Sequence, residues 1–116
     1  VKTGESVRID ELGYTVTVER VESINEKGKW VSYMTLPDGV NEVTIRNRRD
    51  GDTFKPKGMN GTKKVKEYMI NEKIPRNMRS RTGIVEVDGQ IGWIIGHRED
   101  ARFSFNGNGI KISVSY

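Results

Sequence analysis

Alternation of polar and apolar residues runs through both ends of this 116-residue chain and limits it to a fold built largely of strands. Tyr14, Val16 and Val18 fall on one face of an extended segment that is rich in β-branched residues. Such period-two patterns, interrupted by glycine and proline turns, are typical of antiparallel strands. The segments that share the pattern are residues 6–10, 13–23, 30–36, 41–47, 84–87 and 91–95.

Two hairpins are predicted in the last third of the chain. Asp88-Gly89 lies between two short apolar runs, and an Asp-Gly pair is a strong signal for a two-residue hairpin turn. A second glycine-rich turn, at residues 107–109, separates residues 102–106 from residues 110–116. We therefore expect two successive antiparallel hairpins after the middle of the chain.

Helical periodicity occurs only in the middle of the chain. Thr62 is a candidate N-cap for a helix in which Val65, Tyr68 and Met69 form one apolar stripe. Pro75 ends that helix and can begin a short second one. The pattern predicts an α+β fold for residues 1–116 as a single domain, with antiparallel, β-sandwich-like sheets and an inserted helical hairpin.

The positive charge of the chain is concentrated in this middle segment. Residues 46–81 hold twelve of the 20 Lys and Arg residues but four of the 16 acidic residues, while the whole chain has a net charge of +4. A solvated surface mixes the two signs, whereas a surface that binds polyanions separates them. Asp50 and Asp52 interrupt the segment, and we interpret them as part of a turn held by local salt bridges. The predicted RNA-binding residues are Arg46, Arg48, Arg49, Lys55, Lys57, Lys63, Lys64, Lys66, Arg76, Arg79 and Arg81.

The turn at Gly61 suggests how a phosphate could bind. A glycine-rich turn that leads into a helix presents free backbone N–H groups and the positive end of the helix dipole. Lys63, Lys64 and Lys66 would oppose that dipole, and a bound phosphate would remove the conflict. The spacing does not match a nucleotide-binding P-loop, so the pattern favours a phosphate backbone over a nucleotide cofactor.

The composition gives little support for catalysis. The chain has no cysteine and one histidine, His97, so we expect no metal site, and no residue is predicted to be catalytic. Trp93 lies within an apolar run and is predicted to be a core residue rather than a stacking platform. No apolar run approaches the roughly 18 residues of a membrane span, so no membrane partner is expected.

The middle of the chain contains an Arg-rich strand end followed by four short motifs: Gly-Asp-x-Phe-x-Pro, Gly-Thr-Lys-Lys, Ile-Pro-Arg and Trp-x-x-Gly-x-Arg. In this sequence they are Arg46 to Arg49, Gly51 to Pro56, Gly61 to Lys64, Ile74 to Arg76 and Trp93 to Arg98. Through these motifs, residues 42–102 resemble the C-terminal domain of tRNA(Ile)-lysidine synthetase. Thr53 stands where Arg is common in the family, which removes one possible phosphate contact.

The resemblance implies a function for the chain. The parent enzyme is a cytoplasmic ligase that uses ATP, with magnesium, to attach lysine to cytidine 34 of tRNA(Ile), forming a C–N bond and the modified base lysidine. That chemistry belongs to an N-terminal domain with a pyrophosphate loop, a motif that does not occur here. Since the chain also does not begin with Met, we expect a part of a longer protein, without enzymatic activity or cofactor of its own.

This domain would bind the acceptor stem of the tRNA, with a fold similar to a tRNA-binding-type module of phenylalanyl-tRNA synthetase. Its other expected partner is the parent's catalytic domain. The alternative is a structural or protein-interaction domain whose basic surface docks an acidic partner. The two hypotheses differ in the expected salt dependence and in the preference for tRNA over other polyanions.

Overall fold

The computed structural model describes all of residues 1–116, and its strands form two four-stranded antiparallel sheets and one two-stranded ribbon. The first sheet has the order β1 (Ser6–Ile9), β2 (Tyr14–Val21), β10 (Gly109–Ser115) and β3 (Val31–Met34). The second has the order β4 (Thr44–Arg46), β7 (Ile84–Val87), β8 (Gln90–Ile94) and β9 (Arg98–Glu99). The ribbon pairs β5 (Thr53–Phe54) with β6 (Lys63–Lys64).

Two short helices, α1 (Val65–Asn71) and α2 (Arg76–Arg79), lie between the ribbon and β7. A single 3-10 turn, Ala101–Phe103, follows β9. Pro75 immediately precedes α2, as the sequence predicts. None of these helices has the length and apolar character needed to cross a membrane.

The predicted start of the first helix at Thr62 is wrong. Lys63 and Lys64 are extended and pair with Phe54 and Thr53, so α1 begins only at Val65 and has no side-chain cap. The backbone N–H of Val65 instead donates to the carbonyl oxygen of Asp52 at 2.9 Å. Strand pairing thus takes the place of the capping interaction that the sequence suggests.

One of the two predicted hairpins is present. The turn at Asp88-Gly89 joins β7 to β8, with φ of 49° and 79° at its two residues, as expected for a tight hairpin turn. The hairpin predicted around residues 107–109 is absent, since residues 101–103 form a 3-10 turn and Ser104 bridges to Met34 of β3 rather than to β10. Strand β10 pairs with β2 and β3 instead, which completes the first sheet.

The two sheets pack face to face over the larger of two hydrophobic clusters. Val16 and Val18 of β2 and Ile112 of β10 meet Val85 of β7 and Trp93 of β8, all of them buried. Two antiparallel sheets with aligned inner faces form a sandwich. The predicted α+β class, with sandwich-like sheets and an inserted helical hairpin, is confirmed, and so is the core position of Trp93.

The other face of the second sheet is covered by α1 and the ribbon. The predicted helical stripe of Val65, Tyr68 and Met69 is buried there, together with Phe54, against Ile84, Ile91 and Ile94. Consecutive residues of β7 therefore pack in different hydrophobic clusters. Ile84 faces α1, and Val85 faces the first sheet. The second sheet is the middle layer of the molecule, and it positions the basic segment on its outer side.

Candidate nucleic-acid interface

The basic segment is anchored by a nearly buried ion-pair network. The Arg46 guanidinium donates to both carboxylate oxygens of Asp52 at 2.9 Å, and its Nε donates to Glu86 at 2.7 Å. Only 10% of the Arg46 side chain and 12% of the Asp52 side chain are exposed. A bidentate arginine–carboxylate pair of this kind fixes geometry as well as adding energy. Arg46 thus has two carboxylate partners within the protein. A contact between Arg46 and RNA remains a prediction from the sequence.

Asp52 also links the Arg-rich turn to the start of α1. Its carboxylate accepts the backbone N–H of Arg49 at 2.7 Å, closing a turn in which Gly51 has the φ of 88° that glycine tolerates best. Its backbone carbonyl accepts the N–H of Val65 at 2.9 Å. Two basic stretches that are a dozen residues apart in the chain therefore lie side by side.

We call the cations of these two neighbouring stretches the basic junction: Arg48, Arg49, Lys63, Lys64 and Lys66. Arg48 lies 3.6 Å from the exposed carboxylate of Asp50, which confirms the predicted salt-bridged turn. The other four side chains are exposed and make no ion pair. Like charges on neighbouring stretches of chain without counter-ions produce a positive potential, which attracts polyanions.

The pKa of Asp52 reflects its place in this network. Burial acts to raise that pKa, but hydrogen bonds from Arg46 and from the Arg49 amide outweigh it and hold the pKa below its ordinary value. The same balance, with Arg102 and the Lys55 amide as donors, lowers the pKa of Asp100. Both carboxylates therefore stabilise the folded protein in their charged form.

A pH dependence of stability follows. A carboxyl group whose pKa is lower in the folded state stabilises the protein above its unfolded value, about 3.9 for Asp, and this contribution is lost as the pH falls through the folded value. We expect the free energy of unfolding, measured by urea denaturation, to decrease steadily from about pH 5 to pH 2. Asp52→Asn should remove part of this dependence, and a variant profile parallel to that of the wild type would contradict the assignment.

Lys55 and Lys57 lie in a loop that is held against the second sheet. The amide of Lys55 donates to the buried carboxylate of Asp100 at 2.7 Å, and the amide of Lys57 donates to the Glu99 carbonyl at 2.8 Å. Arg98 donates to the Lys57 carbonyl at 2.9 Å. Both lysine side chains are exposed, and that of Lys57 lies 3.9 Å from Glu99.

Sequence reasoning missed Asp100, which organises this loop. Its side chain is fully buried and accepts from the Lys55 amide, from the Arg102 amide and from the Arg102 guanidinium at 2.7 to 3.0 Å. The motif Arg98-Glu99-Asp100 looks like an ordinary charged surface stretch, so nothing in the sequence indicates a buried carboxylate.

The remaining predicted cations lie on or after α2, at the opposite end of α1. Arg76 and Arg81 are exposed, and the half-buried Arg79 donates from Nε to the Ile74 carbonyl at 3.0 Å. These arginines follow α1, a seven-residue helix about 10 Å long, whereas the residues of the basic junction precede α1 or lie in its first turn. No group of three or more His, Asp or Glu residues is arranged to hold a metal ion.

The two packed sheets, the inserted helices and the separated positive charge define a small α+β domain with an exposed basic surface. The chain belongs to the TilS substrate C-terminal domain family, whose model matches residues 43–116. Over 99% of its length it superimposes on 92% of a protein solved as the crystal structure of a TilS C-terminal domain, with a TM-score of 0.81 and 32% identity.

Curated relatives agree with this assignment. The chain is 37% identical over 101 residues to a tRNA(Ile)-lysidine synthase of Caldanaerobacter subterraneus subsp. tengcongensis, covering 87% of this chain and 21% of that protein. It is 32% identical over 117 residues to a tRNA(Ile)-lysidine synthase of Persephonella marina, covering 97% of this chain and 26% of that protein. The chain thus spans about a fifth to a quarter of the length of these relatives.

Proposed function

We propose that this domain binds tRNA(Ile) through the acceptor stem and serves a tRNA(Ile)-lysidine synthetase. The observation that carries the proposal is the basic junction, where Arg49, Lys63, Lys64 and Lys66 are exposed and make no ion pair, on two stretches of chain that Asp52 holds side by side. Phosphate contacts from exposed Lys and Arg supply most of the affinity of proteins for nucleic-acid backbones. The names of the relatives support tRNA as the polyanion.

Within the proposed enzyme, ligation of lysine to cytidine 34 and the use of ATP with magnesium are assigned to a catalytic domain. The present domain contributes affinity and orientation, holding the tRNA so that its anticodon reaches a distant active site. We expect the enzyme to work in the cytoplasm. The acceptor stem is an A-form duplex, whose wide minor groove is read through its shape, 2′-hydroxyls and backbone. We therefore expect modest sequence discrimination from this domain.

Hydroxyl-radical footprinting of a tRNA(Ile) transcript tests the proposal. The domain should protect the backbone of the acceptor stem on both strands, and the anticodon stem of the same molecule is the internal control. The logarithm of the affinity should fall with the logarithm of the salt concentration at a slope of roughly −3 to −5, as expected for four to six phosphate contacts. Protection confined to other parts of the tRNA would contradict acceptor-stem binding.

An absence of protection, together with binding to an acidic protein domain, would favour the protein-docking alternative. This outcome also predicts a weaker dependence of the affinity on salt, since an acidic protein domain lacks the condensed counterions that a nucleic acid releases on binding.

A further inference from the structure

A cleft of about 500 Å³ opens where the first sheet meets the C-terminal end of α1. Trp30 and Tyr116 form its aromatic wall, with ring centroids 6.1 Å apart and planes at 74°. Tyr116 also packs edge-to-face on the buried Tyr14, at 6.3 Å, and yet 83% of Tyr116 is exposed. Tyr116 therefore offers a large aromatic face to solvent beside Trp30.

Positive side chains surround this aromatic wall. Lys29, Lys73 and Arg81 line the cleft, and the Lys29 ammonium lies 5.1 Å from the centre of the Trp30 ring. Glu72 is the one acidic residue of the lining, and its carboxylate lies 3.7 Å from the Arg98 guanidinium. Cations next to an aromatic surface match a ligand that combines a flat ring with a phosphate.

The remaining lining adds neutral polar and apolar groups. Burial and the nearby Lys29 hold the pKa of His97 below its ordinary value, so its imidazole is neutral at pH 7 and can both donate and accept hydrogen bonds. Gly96, with a φ of 81°, lets the Trp30 ring pack on the backbone, since a Cβ there would lie 3.0 Å from the ring. Trp30 is therefore fixed in place rather than free to rotate.

The position of the cleft connects it to the basic surface. Lys73 follows α1 and Arg81 follows α2, and both line the cleft, whereas the basic junction lies at the opposite end of α1. The two sites therefore lie beyond opposite ends of α1, which is about 10 Å long. A duplex that runs from the basic junction along α1 would point its end towards the cleft.

We propose that this cleft binds one unpaired nucleotide adjoining the end of a bound RNA duplex. The base stacks on Tyr116 beside Trp30, and the phosphate lies among Lys29, Lys73 and Arg81. Stacking on aromatic rings is the usual way in which proteins hold splayed-out RNA bases, and it tolerates any base because every base has a π-face. The proposal rests on the proposed RNA-binding function and adds a single-strand subsite to it.

Two RNA hairpins test this subsite, one blunt and one with the same stem and a four-nucleotide 3′ tail. We expect the tailed hairpin to bind about tenfold more tightly, a gain typical of one stacked base. Tyr116→Ala should remove this gain and leave the affinity for the blunt hairpin unchanged. Ile24→Ala, which truncates another exposed apolar side chain, should retain the full gain and is the matched control.

Tryptophan fluorescence gives a second measurement. The tailed hairpin should quench the emission of Trp30, and Trp30→Phe should abolish the quenching, because the remaining Trp93 is only 2% exposed. Equal affinities for the two hairpins, both of them bound, would overturn the subsite and leave the proposed function intact. If neither hairpin binds, the proposed function fails, and titration with a free tetranucleotide decides the subsite. Quenching that Tyr116→Ala abolishes would then support it, and no quenching would overturn it.

Discussion

Changing Arg49, Lys63 and Lys64 together to alanine is expected to weaken tRNA binding by about a hundredfold at roughly 0.1 M salt. These exposed side chains have no carboxylate partner within the protein, so they are available for phosphates. Each phosphate contact releases counterions and adds about 0.7 to 0.9 to the salt slope, so the slope should become shallower by about two to three units. Fluorescence anisotropy of labelled tRNA(Ile) at several salt concentrations measures both quantities.

The matched control removes the same charge from the far side of the domain. Lys2, Arg8 and Arg20 are exposed and belong to the part of the chain that builds the first sheet, away from α1. Their triple alanine variant should keep nearly the wild-type slope, and both variants should show the thermal stability of the wild type. Equal losses in the two variants would mean that net charge, rather than the basic junction, determines binding.

Asp100→Ala is expected to lower the free energy of unfolding by about 2–4 kcal/mol, a large part of the total stability of a small domain. The substitution leaves the Lys55 amide and the Arg102 guanidinium without their acceptor. Arg102 is 30% exposed and can turn partly towards water, so the loss stays below that of a fully buried pair. Urea denaturation at pH 7 measures the difference.

Asp50→Ala provides the comparison for Asp100, since it removes the same group from a fully exposed position next to Arg48. An exposed ion pair contributes little, so this variant should lie within about 0.5 kcal/mol of the wild type. A similar loss in the two variants would show that the burial of the Asp100 carboxylate is not what makes it important. The Asp100→Ala variant should also loosen the Lys55–Lys57 loop, which would appear as faster proteolysis there.

The sequence predicts the longer elements of this fold because a buried face requires apolar residues at regular intervals. The period of two in β2 and the stripe of Val65, Tyr68 and Met69 both correspond to buried faces. The pairing of β5 with β6 produces no such pattern, since a strand of two residues is too short to show a period. Thr62 therefore resembled a helix cap, although the chain remains extended until Lys64.

The density of positive charge in the sequence, in contrast, does not distinguish cations that form ion pairs within the protein from cations that do not. Arg46 and Arg49 look equivalent in the sequence, but Arg46 binds Glu86, forty residues away, and Arg49 is exposed. Such a pairing depends on the alignment of β4 with β7, which is a property of the folded sheet. The sequence predicts the salt-bridged turn that contains Asp52, whereas the bond from the Val65 amide to the Asp52 carbonyl, which joins this turn to α1, leaves no sign in the sequence.

Because the second sheet is covered on both faces, we expect the amide protons of β7 and β8 to exchange with solvent more slowly than those of the exposed loops. Helix α1 differs, since seven residues without a side-chain cap form no stable helix alone and depend on a few buried contacts. It can therefore unfold and re-form locally while the sandwich stays closed. The cations next to α1 are thus carried by the least stable layer of the domain, so their spacing can adjust to a ligand without opening the sandwich between the two sheets.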